Sequence, residues 1–240
     1  MSDPAVAIDQ LDWADIGAQL DAEGHAVLSG LLAPGRAREL ARRLVESASA
    51  RHVSLASARL GRGEFLLFGA RLPEPLATWR TALYRRLAPI ANRWQESLAL
   101  DYRYPKSMAD FLQRNRAAGQ AWPLSRLDRL GPGDYLALHQ SNDGAHVFPM
   151  QLVLLLSEPG VCFTGGEFVM TEQRPRKQSR PMVLPLRLGD AAIITTAGRP
   201  ASGSRACYRA SLRHAIGEVR QGERIGAELS FHDTPSDPFP

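Results

Sequence analysis

The stretch Asp134-Tyr135-Leu136-Ala137-Leu138-His139-Gln140-Ser141 alternates residue character and reaches a histidine near its end, and far downstream Leu212-Arg213-His214 closes another strand-like run. Short apolar segments fill the interval, at 147–156, 167–171, 182–187 and 191–196, with a last one at 226–231. Turn residues separate them: Pro132-Gly133, Asn142-Asp143-Gly144, Pro159-Gly160, Gly165-Gly166, Gly189-Asp190, Gly198-Arg199-Pro200 and Gly222. Many short strands punctuated by Gly, Pro and Asn indicate an antiparallel sandwich or barrel rather than a parallel α/β sheet. In a closed double sheet, histidines at strand ends can converge on one ion although they lie far apart in sequence. His139 and His214 are therefore expected to line a metal pocket between two sheets.

Upstream the character is helical. A helix is expected from Asp12 to Ala22, with Leu11, Ile16 and Leu20 at helical spacing and Gly24 as its stop. His25-Ala26-Val27-Leu28 reads as a strand in which His25 is a surface position. Pro34 opens a second helix to about Glu46, and Phe65-Leu66-Leu67-Phe68 reads as a short strand. Trp79, Leu83, Leu87, Ile90, Trp94 and Leu98 recur every three or four residues, which predicts a long helix from Pro75 to Leu98. Pro89 should kink or split it. Met108 to Ala118 completes the helical part. The expectation is one domain over 1–240, helical to about residue 123 and β from about 124 to 233, with the helices on one face of the β part.

Composition narrows the partners. The chain has 240 residues, 44% hydrophobic and 22% charged, with net charge +4. The arginines are dispersed, so a small-molecule substrate is expected and nucleic acid is not. Cys162 and Cys207 show no C-x-x-C spacing. The apolar runs are too short to span a bilayer and no signal peptide is evident, so a cytoplasmic protein without a membrane partner is expected. Oligomeric state is left open.

The strings His146-Val147-Phe148-Pro149-Met150-Gln151, Phe163-Thr164-Gly165-Gly166-Glu167-Phe168 and Glu172-Gln173-Arg174-Pro175-Arg176 carry a family resemblance. With His139, His214 and Arg224 they resemble the iron(II)/2-oxoglutarate-dependent oxygenases, in the prolyl-hydroxylase-like branch. The lead-in Gly24-His25-Ala26-Val27-Leu28-Ser29-Gly30-Leu31-Leu32 is similar as well. The resemblance implies a mainly β fold with α, a double-stranded β-helix (jelly-roll, cupin-like) flanked by N-terminal helices. It also implies Fe(II), 2-oxoglutarate and O2 as cofactors, with oxidation of a C–H bond. The family motif is His-x-Asp, a distal His, and a basic residue about ten positions later. His139 and His214 match the two histidines, and Arg224, ten beyond His214, matches the residue that grips the far carboxylate of 2-oxoglutarate. A guanidinium suits that role because its planar fork meets a carboxylate bidentately.

The chain departs from the motif at two positions. Ser141 stands where the carboxylate of His-x-Asp belongs, and Leu130 stands where relatives often place a tyrosine for 2-oxoglutarate. Tyr135 is a candidate replacement for that tyrosine. Ser141 leaves four outcomes open: chloride at the vacated position and halogenation, Asp143 as replacement ligand through a bulge, hydroxylation with two histidines and water, or a catalytically inactive binding module. His146 is a candidate for the pocket mouth. Glu167 and His232-Asp233 read as structural.

Overall fold

The computed structural model describes residues 4–46, 51–69, 71–203 and 207–237. Its helices are α1 (Pro4–Asp9), α2 (Trp13–Glu23), α3 (Pro34–Val45), α4 (Leu76–Ser97) and α5 (Met108–Ala117). The first strands are β1 (His25–Leu28), β2 (Arg51–Ser54), β3 (Gly61–Arg62), β4 (Glu64–Leu67), β5 (Trp122–Pro123), β6 (Arg126–Leu130), β7 (Tyr135–His139) and β8 (Met150–Leu155). They are followed by β9 (Phe163–Gly165), β10 (Phe168–Gln173), β11 (Arg180–Leu184), β12 (Ala191–Thr195), β13 (Gly198–Ser202), β14 (Cys207–Ile216), β15 (Val219–Gly222), β16 (Arg224–Ser230) and β17 (Asp233–Thr234).

Two antiparallel sheets face each other. One has the order β1-β12-β8-β16-β6-β4-β2, and the other β11-β10-β14-β7-β3, with β13 added on β14. Along the chain β7, β8, β10, β12, β14 and β16 fall alternately in the second and the first sheet. That alternation makes the expected double-stranded β-helix.

Strand periodicity divides the apolar residues between two cores. Leu127, Leu152, Leu154, Ile193 and Leu229 point outward from the seven-stranded sheet and join α2, α3, α4 and α5 in one cluster. Phe65, Val153, Leu155 and Ile194 point inward and meet Leu136, Phe168, Met170 and Leu212 of the opposite sheet. The helices thus cover one face of the seven-stranded sheet, as expected.

Local signals are honoured closely. The Asp12 side chain accepts from the amides of Ala14 and Asp15, and Gly24, at φ 75°, ends α2 with its N–H on Leu20 O. Three expectations need correction. α4 runs from Leu76 to Ser97 with Pro89 inside it at an exposed position, so the proline does not split the helix. The segment read as a turn at Gly198-Arg199-Pro200 is instead part of β13, paired with β14. Two short strands of the N-terminal part were not expected: β2 joins the seven-stranded sheet beside the expected β4, and β3 joins the other.

Candidate active site

β7 and β14 are paired, and His139 lies directly opposite His214. The next partners are Leu136 and Ile216, three residues along β7 but two along β14, so β7 carries a bulge. The extra residue shifts the inside-outside alternation, which lets Leu136 and His139 both face the interior. The two imidazole centroids are 4.2 Å apart. His139 Nδ1 lies 3.0 Å from Ala137 O, a contact that places the proton on Nδ1 and leaves the Nε2 lone pair for an inward partner. Burial, then His214 and Arg126, push the His139 pKa down to about 3, so this ring is neutral at physiological pH. His214 is fully buried, with its Nε2 3.2 Å from Gln151 Nε2 and its ring stacked on Phe168.

Four charged residues share the inner face of the seven-stranded sheet beneath these rings. Arg224 and Glu228 lie on β16, Arg126 and Asp128 on β6, and all are at most 6% exposed. Glu228 Oε2 accepts from Arg126 Nη2 at 2.6 Å and stands 3.8 Å from His214 Nε2. Arg126 Nη2 is also 3.3 Å from His139 Nε2, and its guanidinium lies over the Phe65 ring. Burial alone would raise the Glu228 pKa, but the charge of Arg126 and the neighbouring His214 outweigh it and lower it instead. One ligand-type atom from each of His139, His214 and Glu228 lies within 4.8 Å of the other two.

Arg224 lies farther along the same face of β16. Its Nε donates to Gly166 O at 3.0 Å, while its buried Nη1 makes no hydrogen bond within the described residues. Gly165 and Gly166 adopt φ of 73° and 63°, and a Cβ on Gly166 would come within 3.0 Å of Arg224 Cδ. The turn singled out in the sequence is thus the clamp that holds this guanidinium. A cavity of about 440 Å³ adjoins it, lined by Leu155, Phe163, Phe168, Leu184, Leu186 and Arg224. Between Arg224 and Glu228 stands Gly226, where a Cβ would lie 2.9 Å from Arg224 Nη1, so glycine lets the guanidinium pack close against β16. Burial lowers the Arg224 pKa to about 10, opposed by the charge of Asp128.

The expected site residues separate clearly. His139, His214 and Arg224 face the same interior. Ser141 is at the site, but its hydroxyl lies 3.5 Å from Glu228 Oε1 and is turned toward that carboxylate. Asp143 is not brought to the histidines: it is exposed, and its Oδ2 accepts from Thr234 Oγ1 at 3.1 Å. Tyr135 is 39% exposed, because the bulge breaks the face it would otherwise share with His139. Leu130 is buried opposite Arg224 and offers no hydroxyl. Residues 232–233 tie the sheet to α4, with Asp233 on Arg80 at 3.3 Å.

Sequence reading missed Glu228, Arg126, Asp128 and Gln151. A signal existed: Arg224, Gly226 and Glu228 are in phase at period two inside an otherwise apolar strand. Read alone, such a charge looks like the wet face of an edge strand, whereas β16 is central and buried on both faces.

A second cavity, of about 370 Å³, flanks the loop after Ser141, lined by Trp94, Tyr102, Tyr104, Asn142, His146 and Arg209 among others. Tyr102 and His146 stack in its wall at 5.0 Å.

These residues fit the iron and dicarboxylate co-substrate that the resemblance implies. Two imidazoles and a carboxylate converge, and a buried guanidinium with an unpartnered Nη1 lines the adjoining cavity. Among solved structures, a prolyl-4-hydroxylase of Pseudomonas putida is similar at 13% identity and TM-score 0.54, covering 93% of this chain and 100% of that one. A prolyl 4-hydroxylase of Phytophthora capsici is similar at 14% identity and TM-score 0.55, covering 100% of this chain and 68% of that one. Both likenesses establish the fold of the 2-oxoglutarate oxygenases. An uncharacterized protein of Mycobacterium tuberculosis is 39% identical over 167 residues, 70% of this chain and 72% of its own length. Residues 63–234 match the Oxygenase-NA family, described as "Oxygenase, catalysing oxidative methylation of damaged DNA", a span that includes both histidines, Arg224 and Glu228, and the chain belongs to that family.

Proposed function

We propose that this protein is an Fe(II)- and 2-oxoglutarate-dependent oxygenase that hydroxylates a C–H bond. The observation that carries this reading is one interior holding the His139–His214 pair at 4.2 Å and the buried Arg224 whose Nη1 has no partner. Iron with 2-oxoglutarate and O2, when bound, supplies the oxidising power for oxygen insertion, with succinate and CO2 as co-products. The chain supplies position and environment. Ala137 O fixes the His139 tautomer, and the stack with Phe168 orients His214. Arg224, anchored through Gly166 O, offers Nη1 to the far carboxylate of the co-substrate. Leu136, Val153, Phe168 and Met170 line the inner core and exclude water.

Halogenation is the weaker alternative. The space beside Ser141 that chloride would take faces the Glu228 carboxylate at 3.5 Å, which repels an anion. One observation favours a binding module without catalysis: the Arg126 guanidinium sits between Glu228 and His139, where a cation ligated by both would stand.

For the substrate, the family description supports damaged DNA, while the dispersed charge supports a small molecule. The stacked Tyr102–His146 wall beside Arg209 suits a planar ring and favours a nucleobase-like group over an aliphatic one. The test is succinate release from 2-oxoglutarate under Fe(II) and O2, with alkylated single-stranded oligonucleotides in one arm and small aromatic metabolites in the other. Substrate-dependent succinate in either arm supports the oxygenase reading and assigns the substrate class. No succinate in both arms from folded, iron-loaded protein refutes it.

A further inference from the structure

We propose that Glu228 is the carboxylate ligand of the metal, so that the anionic member of the centre lies on β16 instead of just after β7, where Ser141 stands. This inference rests on the metal-centre reading above. Four observations meet on it. Glu228 is the carboxylate grouped with His139 and His214 within 4.8 Å. It is 2% exposed and paired with the guanidinium of Arg126 at 2.6 Å, as a carboxylate inside a core must be. The Ser141 hydroxyl points to Glu228 Oε1, leaving Oε2 for the histidine side, 3.8 Å from His214 Nε2. Asp143, the rival carboxylate, is exposed and bonded to Thr234.

Arg126 is the counterpart of this arrangement. Without a metal its guanidinium neutralises Glu228 at 2.6 Å and touches His139 Nε2 at 3.3 Å. A metal ion drawing on the same two lone pairs competes directly with it. Asp128 gives the displaced arginine a place to go: its Oδ1 is 3.6 Å from Arg126 Nε, and neither atom makes a hydrogen bond within the described residues. Charge stays balanced throughout. Arg126, Arg224, Asp128 and Glu228 sum to zero, and a divalent cation entering with a dianionic keto acid adds zero.

The test is anaerobic calorimetric titration of the full chain with Co(II), followed by the visible d–d spectrum of the bound ion. Wild type is expected to bind one ion, and Glu228→Gln to bind it at least 30-fold more weakly. Glu228→Gln leaves Arg126 buried without its partner and can cost the fold, so Arg126→Met/Glu228→Gln removes both charges and is expected to fold yet bind equally weakly. Ser141→Asp/Glu228→Gln returns a carboxylate to the segment after β7 and is expected to recover affinity to within about fivefold of wild type. Asp143→Asn is expected to match wild type within twofold. Wild-type affinity and spectrum in Arg126→Met/Glu228→Gln would overturn the assignment while leaving the two-histidine centre intact. Glu228-dependent Co(II) binding without succinate from 2-oxoglutarate would uphold the ligand and sink the oxygenase. No Co(II) binding by either wild type or Arg126→Met overturns both.

Discussion

The two ends of the candidate site are built on one strand, β16, yet they relate to the family pattern in opposite ways. At one end Arg224 keeps the expected residue type and spacing, with its guanidinium clamped by the Gly165-Gly166 turn. At the other end the motif carboxylate is absent just after β7, and Glu228, four residues along β16, stands among the histidines with Arg126 against it. Recognition of a dicarboxylate needs one guanidinium at one distance along a strand, a requirement that ties it to a single position. A metal centre needs three donors around a point, and any strand passing that point can supply one. The difference shows how an anionic ligand can change strands while the co-substrate grip stays fixed.

Several changes would break or sharpen this contrast. The largest effect is expected from His214→Ala, which removes a fully buried donor: Co(II) titration should show no specific binding, while circular dichroism stays that of a folded β protein. Next is a pH effect near the metal end, at buried His232, whose pKa burial and then Arg80 push down to about 4 from an ordinary 6.5. The unfolded chain takes up this proton below about pH 6.5 and the folded chain only below about 4. Stability should therefore be full above pH 6.5 and fall as pH drops toward 4, by about 3 kcal/mol at most. Urea unfolding at several pH values measures this, and His232→Asn should flatten the slope.

At the opposite end, Arg224→Ala should weaken 2-oxoglutarate by roughly 30- to 100-fold, the loss of a charge-assisted pair worth about 2–3 kcal/mol, with Co(II) affinity nearly unchanged. Loss of both would show that the two ends are not separable. Ser141→Asp alone puts a second carboxylate beside Glu228. It should lower the unfolding free energy of the metal-free protein by about 1–2 kcal/mol through like-charge repulsion. The smallest effect belongs to Tyr135→Phe, an exposed position where co-substrate affinity should stay within twofold.

Much of the fold was legible because its signals are local. Strand punctuation, the Asp12 cap and Gly24 stop of α2, and the apolar repeat of α4 each act within a few residues. His139, His214 and Arg224 were singled out through the family resemblance, and they do face one interior. Three features were not legible. The bulge in β7, which sends Tyr135 outside while His139 faces in, arises from pairing with β14 and leaves no mark in residue type. Gly198-Arg199-Pro200 looks like a turn until β14 is known to be long enough to pair with it. Glu228 and Arg126 look like surface charges until β16 and β6 are found at the middle of a sheet covered on both sides.

The central claim is that one interior binds iron at the histidine pair and a keto acid against Arg224. Its most direct measurement is an anaerobic titration of the Fe(II)-loaded protein with 2-oxoglutarate, read by the visible charge-transfer absorption of a keto acid chelated to Fe(II). Wild type should develop a saturable band, and Arg224→Ala should need roughly 30- to 100-fold more 2-oxoglutarate to reach it. A folded, iron-loaded wild type that shows no band, or an Arg224→Ala curve that overlays it, would contradict the account.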